Sequence, residues 1–156
     1  MNYMVERRRV GPQWLATVRR RMRPADIPTG FKESLDKVWA FLGAHPGLRI
    51  DGHNTFLYRH DLDATGVLTI DFGVQVTRSF ETAGEVACVS TPEGQAVATL
   101  HRGPYERLTE AHRAVRDWIA KNGLQAGGWS WEIYGDWSDD PAKLETEVIY
   151  LLKPQE

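Results

Sequence analysis

Cysteine is nearly absent. Cys88 is the only one in 156 residues, so no intramolecular disulfide can form and the chain suits a reducing compartment. Cys88 lies in the short apolar stretch Ala87-Cys88-Val89, which fits packing better than nucleophilic chemistry. No apolar run approaches the ~18 residues of a membrane helix, and no basic-then-apolar leader opens the chain. A net charge of −2 excludes general attraction to nucleic acid or acidic membranes. Zinc-protease HExxH, a glycine-rich phosphate loop and CxxC are all missing. His53, His60, Asp61 and Asp63 fit no metal-site spacing. We therefore expect a cytoplasmic protein with no metal, no cofactor and no membrane partner.

What is present is a repeated motif. Thr99–Lys153 reads as strand, helix, strand, strand. Its first strand ends at Arg102-Gly103, and Pro104 suits a first helical position. Tyr105, Leu108, His112, Val115 and Ile119 make one stripe of a helix, with Ala111 and Trp118 beside it. Asn122-Gly123 stops it, because both residues tolerate the left-handed conformation. Strands follow over Trp129–Trp137 and Leu144–Lys153, joined by the turn Ser138-Asp139-Asp140-Pro141.

The same order occurs earlier. Pro12–Arg20 matches Gly94–Arg102 at a shift of 82, with Gln, Ala, Thr and the last Arg identical. After the longer loop Arg23–Gly30 the shift becomes 76. It then pairs Leu42 with Trp118, Leu57-Tyr58 with Ile133-Tyr134, Leu68 with Leu144, and Asp71 with Glu147. The expected fold is α+β, with two pseudo-symmetric lobes, each a β-hairpin strand, a helix and two strands. Antiparallel sheet and two helices follow from this. With 42% hydrophobic residues, residues 1–156 suit one domain, lobe one spanning about 1–78 and lobe two about 84–154.

In chain order, Tyr3–Val10 and Gln13–Met22 read as a hairpin turned at Gly11-Pro12. Seven arginines lie between Arg7 and Arg23. No aromatics alternate with them as single-strand binders require, so they read as the solvated rim of an edge hairpin. A helix is expected from about Phe31 to Ala44, with Phe31, Leu35, Val38, Trp39 and Leu42 as its stripe. Strands are expected over Asn54–Asp61 and Val67–Thr77. Arg78–Glu85 is a polar connector. Glu85–Ser90 and Gln95–Arg102 then read as a second hairpin, turned at Thr91–Gly94.

Most of the six Trp and five Tyr suit the core, and the remainder could wall a pocket. Alternation sets Trp129, Trp131 and Ile133 on one face of their strand and Glu132, Tyr134 and Asp136 on the other. A carboxylate among such rings attracts a lipophilic cation through charge and ring quadrupoles. Tyr58 and Tyr134, as repeat mates, can present hydroxyls symmetrically. Trp39 and Trp118 sit in helix stripes and fit core or cleft wall; His112 faces inward as core histidine or ligand contact. Glu147 shares a face with Ile149 and Leu151, and on residues alone it reads equally as an anchor or a solvent-facing carboxylate.

His101-Arg102-Gly103-Pro104-Tyr105-Glu106, Trp118-Ile119, Trp131-Glu132-Ile133-Tyr134 and Leu144-Glu145-Thr146-Glu147-Val148, in this order, resemble the GyrI-like effector-binding family. Members of that family include the ligand-binding domains of AraC-type and MerR-type multidrug regulators. The resemblance covers nearly the whole chain. It implies a ligand cleft between the lobes, with a last-strand carboxylate, here Glu147, recognising cationic amphipathic ligands. The expected contacts are Glu147, Tyr134, Tyr58, Trp39, His112, Trp131 and Trp137. It also implies a second reading, hydrolysis of strained electrophilic small molecules by Glu147 with Tyr134 or Glu132. A third is a protein partner of the gyrase-inhibitor kind. The first strand begins within a few residues of Met1, so no DNA-binding segment is expected ahead of the domain.

Overall fold

The computed structural model describes residues 2–60 and 65–154. Asp61 and Asp63, whose spacing with His53 and His60 fits no metal site, lie outside the described residues, as does the expected end of the strand at Asp61. The elements are β1 (Glu6–Val10), β2 (Trp14–Met22), α1 (Ile27–Ala44), β3 (Asn54–Arg59), β4 (Leu68–Gln75), β5 (Ala87–Ser90), β6 (Gly94–Arg102), α2 (Leu108–Lys121), β7 (Ala126–Tyr134) and β8 (Glu145–Leu152). The fold is α+β and every paired strand runs antiparallel. None of the described helices is long and apolar enough to cross a membrane.

The chain forms two compact units, Pro12–Thr91 and the combination of Met1–Gly11 with Pro92–Glu156. In the first, strands lie in the order β3-β4-β2-β5; in the second, β1-β6-β8-β7. Neither expected hairpin forms. β1 pairs with β6, and β2 with β4 and β5. A two-residue hairpin needs positive φ in its turn, and Gly11 is not among the positive-φ glycines. Pro12 and Pro92 each hold the preceding residue extended, so the chain runs straight on at both places. Gln13 and Thr91 fasten the crossing: the Gln13 amide donates to Thr91 Oγ1 (2.9 Å), and the Thr91 amide to the Gln13 carbonyl (3.0 Å).

The repeat is real but its register is finer than sequence identity suggested. Phe56 opposes Phe72 as Glu132 opposes Val148, which keeps the expected match across β3, β4, β7 and β8. However, Val18 opposes Phe72 as Thr99 opposes Val148, so Val18, not Thr17, corresponds to Thr99. In the helices the buried Val38 and Leu42 take the places of Val115 and Ile119, which matches Leu42 with Ile119 rather than Trp118. A one-residue slip reverses a strand's faces, and burial, not identity, decides it.

α1 begins four residues before the expected start. Pro24–Asp26 makes a 3-10 turn and Pro28 lies in the first helical turn, where a missing N–H costs nothing. Pro104 stays extended (ψ 149°) ahead of a second 3-10 turn at Tyr105–Arg107, so it precedes α2 instead of opening it. At the end of α2, Gly123 (φ 67°) takes the left-handed conformation. The Gly123 amide bonds to the Ala120 carbonyl and the Leu124 amide to that of Ile119, a Schellman closure. α2 packs on β6 and β8, burying Leu108, Ala111, Val115 and Ile119 against Val97, Val148, Tyr150 and Leu152.

Candidate functional site

Alternation along β7 decides what this strand offers. Tyr134 packs into the cluster beneath α2, so Glu132 and Ser130, two and four residues away, lie on that same covered face. Trp131 projects from the other face, buried, beside Ile149 of β8. On α2, His112 and Arg116 are one turn apart and share a side.

These residues meet in one hydrogen-bonded cluster. Glu132 is only 4% exposed. Tyr134 Oη donates to Glu132 Oε1 (2.6 Å), and His112 Nε2 lies 2.6 Å from Oε2. His112 Nδ1 is 2.7 Å from Tyr150 Oη. That oxygen accepts an N–H from Arg116 (3.2 Å) and also bonds the Ser130 hydroxyl. Arginine can only donate, so the Tyr150 oxygen is the acceptor in its bond to Arg116. Burial pushes the Tyr150 phenol up against the opposing pull of Arg116, which keeps it a neutral donor. Tyr105 stands edge-on to Tyr134 (centroids 5.5 Å apart, 88°) and is 39% exposed, forming the outer margin of the cluster.

Chemically, this is a desolvated carboxylate held by an imidazole and a phenol and edged with rings. It can attract a cation, and it sets a proton acceptor beside the Tyr134 hydroxyl.

The other sequence-predicted residues are placed differently. Glu147, on β8, opposes Ile133 of β7 and Leu100 of β6, whereas Tyr134 opposes Thr146. Glu147 and Tyr134 therefore project from opposite faces, and the two do not come together as base and acid. The Glu147 carboxylate is bound to Arg8 at 2.7 Å, both side chains about one-third exposed. Its repeat mate Asp71 is buried, gripped by Arg19 at 3.0 and 3.1 Å and by Thr17 Oγ1 at 3.2 Å. The Asp71 hydrogen bond raises the Arg19 guanidinium above its ordinary value, as expected of a structural ion pair. Tyr58 is buried on β3 opposite Ile70. Trp39 donates to Asn54 Oδ1 (3.0 Å) and carries the Arg49 guanidinium 4.7 Å from its ring centre. Trp39 and Arg49 border a shallow cavity of about 220 Å³ in the Pro12–Thr91 unit. Trp137 lies past the end of β7 and is 73% exposed.

Of the residues expected at the site, the cluster holds His112 and Tyr134. Glu132 was weighed above only as an alternative acid or base. Tyr150, Arg116 and Ser130 went unnoticed. The i, i+4 spacing of His112 and Arg116, and the shared parity of Ser130, Glu132 and Tyr134, were the available signals.

Known proteins give the arrangement a context. The chain superposes on the EcmrR C-terminal domain with a TM-score of 0.81 at 20% identity, covering 98% of this chain and 99% of that one. It also superposes on SAV2435 bound to tetraphenylphosphonium (TM-score 0.69, 12% identity, 98% and 94% covered). A hydrolase encoded by lin2189 from Listeria innocua gives a TM-score of 0.65 at 15% identity, with 96% and 91% covered. At these identities the likeness is one of fold. No curated protein matches the sequence significantly. The family model of the GyrI-like small molecule binding domain, however, matches residues 8–153. The chain belongs to the GyrI-like family of small-molecule-binding domains.

Proposed function

We propose that this domain binds a hydrophobic, cationic small molecule and that Glu132 is its anchor. The observation that carries the reading is the carboxylate's setting: 4% exposed, with His112 and Tyr134 on its two oxygens and tyrosine rings at its margin. A cation brought to a desolvated carboxylate gains a strong attraction at low local dielectric, and ring faces add to it. Glu147 is the weaker candidate, because Arg8 already neutralises it. SAV2435, a protein of the same fold, was captured with a lipophilic phosphonium cation, and that chemistry suits the cluster.

The test compares tetraphenylphosphonium with neutral triphenylphosphine oxide by calorimetry. The cation should bind more tightly, and Glu132→Gln should remove the preference. Leaving a buried charge unpaired costs about 3–5 kcal/mol, a loss of more than a hundredfold in affinity. Equal binding of both compounds, or an unchanged preference in Glu132→Gln, contradicts the reading.

A second reading rests on the contact between Tyr134 Oη and Glu132 Oε1. Such a pair could hydrolyse a strained electrophile, Glu132 taking a proton from water and Tyr134 protonating the leaving atom. Mass spectrometry of reactive small molecules incubated with wild type and Tyr134→Phe decides this. Product formed by both proteins at equal rates would exclude the role.

A further inference from the structure

An open cavity of about 450 Å³ lies within the Pro12–Thr91 unit and shares no residue with the Glu132 cluster. Trp14, Ile50 and Asp51 line it, together with Gln13 and Gln75. We infer that this cavity is a separate binding site for a small primary amine with an apolar body. Asp51 holds the ammonium, and Trp14 and Ile50 hold the body. The inference does not depend on the reading of Glu132.

Backbone contacts fix the shape of the cavity. The Val76 amide bonds to the Trp14 carbonyl (3.0 Å), the Gln75 amide to the His53 carbonyl (3.0 Å) and the Thr77 amide to the Leu48 carbonyl (2.8 Å). Arg49 Nε donates to the Gly52 carbonyl (2.8 Å). A Cβ on Gly52 would stand 2.1 Å from the Gln75 carbonyl oxygen, so the loop lies this close to β4 only because residue 52 has no side chain. These ties fasten the segment 48–53 at both ends and leave Ile50 and Asp51 between them. Asp51 takes a left-handed backbone (φ 57°), which aspartate tolerates better than most residues. Ile50 is 68% exposed and Trp14 43%. Two large apolar side chains held in water at one cavity mark a surface that binds, and a fastened loop lowers the ordering cost of binding.

The polar groups select the ligand. Among the described residues, Asp51 is the only charged side chain lining the cavity, and its carboxylate has no ion-pair or hydrogen-bond partner. Gln13 Nε2 donates to the carbonyls of Trp14 (3.1 Å) and Val76 (3.0 Å). Two carbonyl partners orient that amide and leave its Oε1 as an acceptor. Gln75 Oε1 accepts from the His53 amide (3.1 Å), so its Nε2 adds one neutral donor. Arg49, the nearby cation, does not line the cavity; the Gly52 carbonyl and the Trp39 ring engage it. An anion would therefore meet the Asp51 charge with nothing lining the cavity to offset it. A primary ammonium carries only donors and suits one anionic and one neutral acceptor. The Trp14 ring face attracts the same cation. The volume falls in the range of small-molecule sites, about 300–1,000 Å³.

The experiment titrates the intact chain at pH 7 with 2-phenylethylamine, which is charged there as lysine is. Neutral 2-phenylethanol and the N-trimethylated amine, which keeps the charge but has no N–H, are the comparison compounds. Calorimetry gives the affinities, and the Trp14 indole N–H and Ile50 methyl resonances report the place. The amine should bind about fivefold more tightly than the alcohol or better, as an exposed ion pair with a cation–π contact implies. It should also bind more tightly than the trimethylated form, and high salt should narrow its preference over the alcohol. Asp51→Asn keeps the side-chain shape and the left-handed backbone; it should abolish that preference and leave binding of the alcohol unchanged. Trp14→Ala should weaken all three compounds, and Glu132→Gln should bind them as wild type does. No binding of the amine, or equal affinity for the amine and either comparison compound, overturns the inference. So does a preference that survives in Asp51→Asn, a loss in Glu132→Gln, or resonance shifts centred away from Trp14 and Ile50. The anchor reading of Glu132 stands or falls separately, on tetraphenylphosphonium.

Discussion

Replacing Tyr3 with phenylalanine isolates one hydrogen bond that ties the N-terminal strand into the unit built from Pro92 onward. His101 is fully buried. Its Nε2 lies 3.0 Å from the Pro104 carbonyl and its Nδ1 2.8 Å from Tyr3 Oη. A carbonyl can only accept, so Nε2 carries the hydrogen and Nδ1 accepts from Tyr3. Tyr3→Phe keeps the ring, which stacks on His101 with centroids 6.0 Å apart, and removes the donor alone. An orphaned buried acceptor costs about 1–3 kcal/mol. For a chain of this size about 2 kcal/mol corresponds to a fall in Tm of roughly 4–8 °C. Thermal unfolding measures the total, and hydrogen exchange localises it. Faster exchange is expected in β1 and its partner β6, with β2, β4 and β5 unchanged, because β1 pairs with β6 and not with β2. A change below about 0.5 kcal/mol, or deprotection centred on β2, would refute the reasoning.

Three further outcomes follow from the packing. Gly73→Ala would set a Cβ 2.5 Å from both the Ala16 carbonyl oxygen and Thr17 Cγ2, so chemical denaturation should show a loss of about 1–3 kcal/mol. Gly43→Ala has no neighbour within 4 Å and lies inside α1, so it should stabilise by about 0.5–1 kcal/mol. Lys37, and after it Arg20, hold the Glu85 carboxyl below its ordinary value. A depressed folded value gives stability that is present above the unfolded value and lost as pH falls through the folded one. Acid denaturation of Glu85→Gln should therefore show a shallower loss below about pH 4.3 than wild type; an identical acid limb would show that the contacts do not matter.

Local features were legible because local chemistry decides them. The Val38 and Leu42 stripe, the Asn122-Gly123 stop and the parity of Glu132 with Tyr134 all follow from spacing and backbone freedom. Strand partners were not legible. Gly11-Pro12 looks like a turn in sequence, and only tertiary pairing shows that β1 and β2 enter different units. The Thr17–Thr99 identity misled for a similar reason, since identity carries no information about which face is buried. At the site, parity separated Glu132 from Trp131 and Ile133, but nothing local said which face α2 covers. That choice is made by the apolar residues of β6 and β8, Val97, Val148 and Leu152, and it brings His112 to Glu132. Arg8 and Glu147 are far apart in sequence, so their pairing was equally hidden.

The central claim is that Glu132 is the carboxylate that recognises the ligand's charge. The most direct test measures tetraphenylphosphonium affinity of Glu132→Gln and Glu147→Gln side by side at pH 8. We expect Glu132→Gln to lose more than a hundredfold, and Glu147→Gln to stay within about fivefold of wild type, since a partly exposed ion pair contributes only about 0.2–1 kcal/mol. The reverse order, or equal losses in both, would contradict the account.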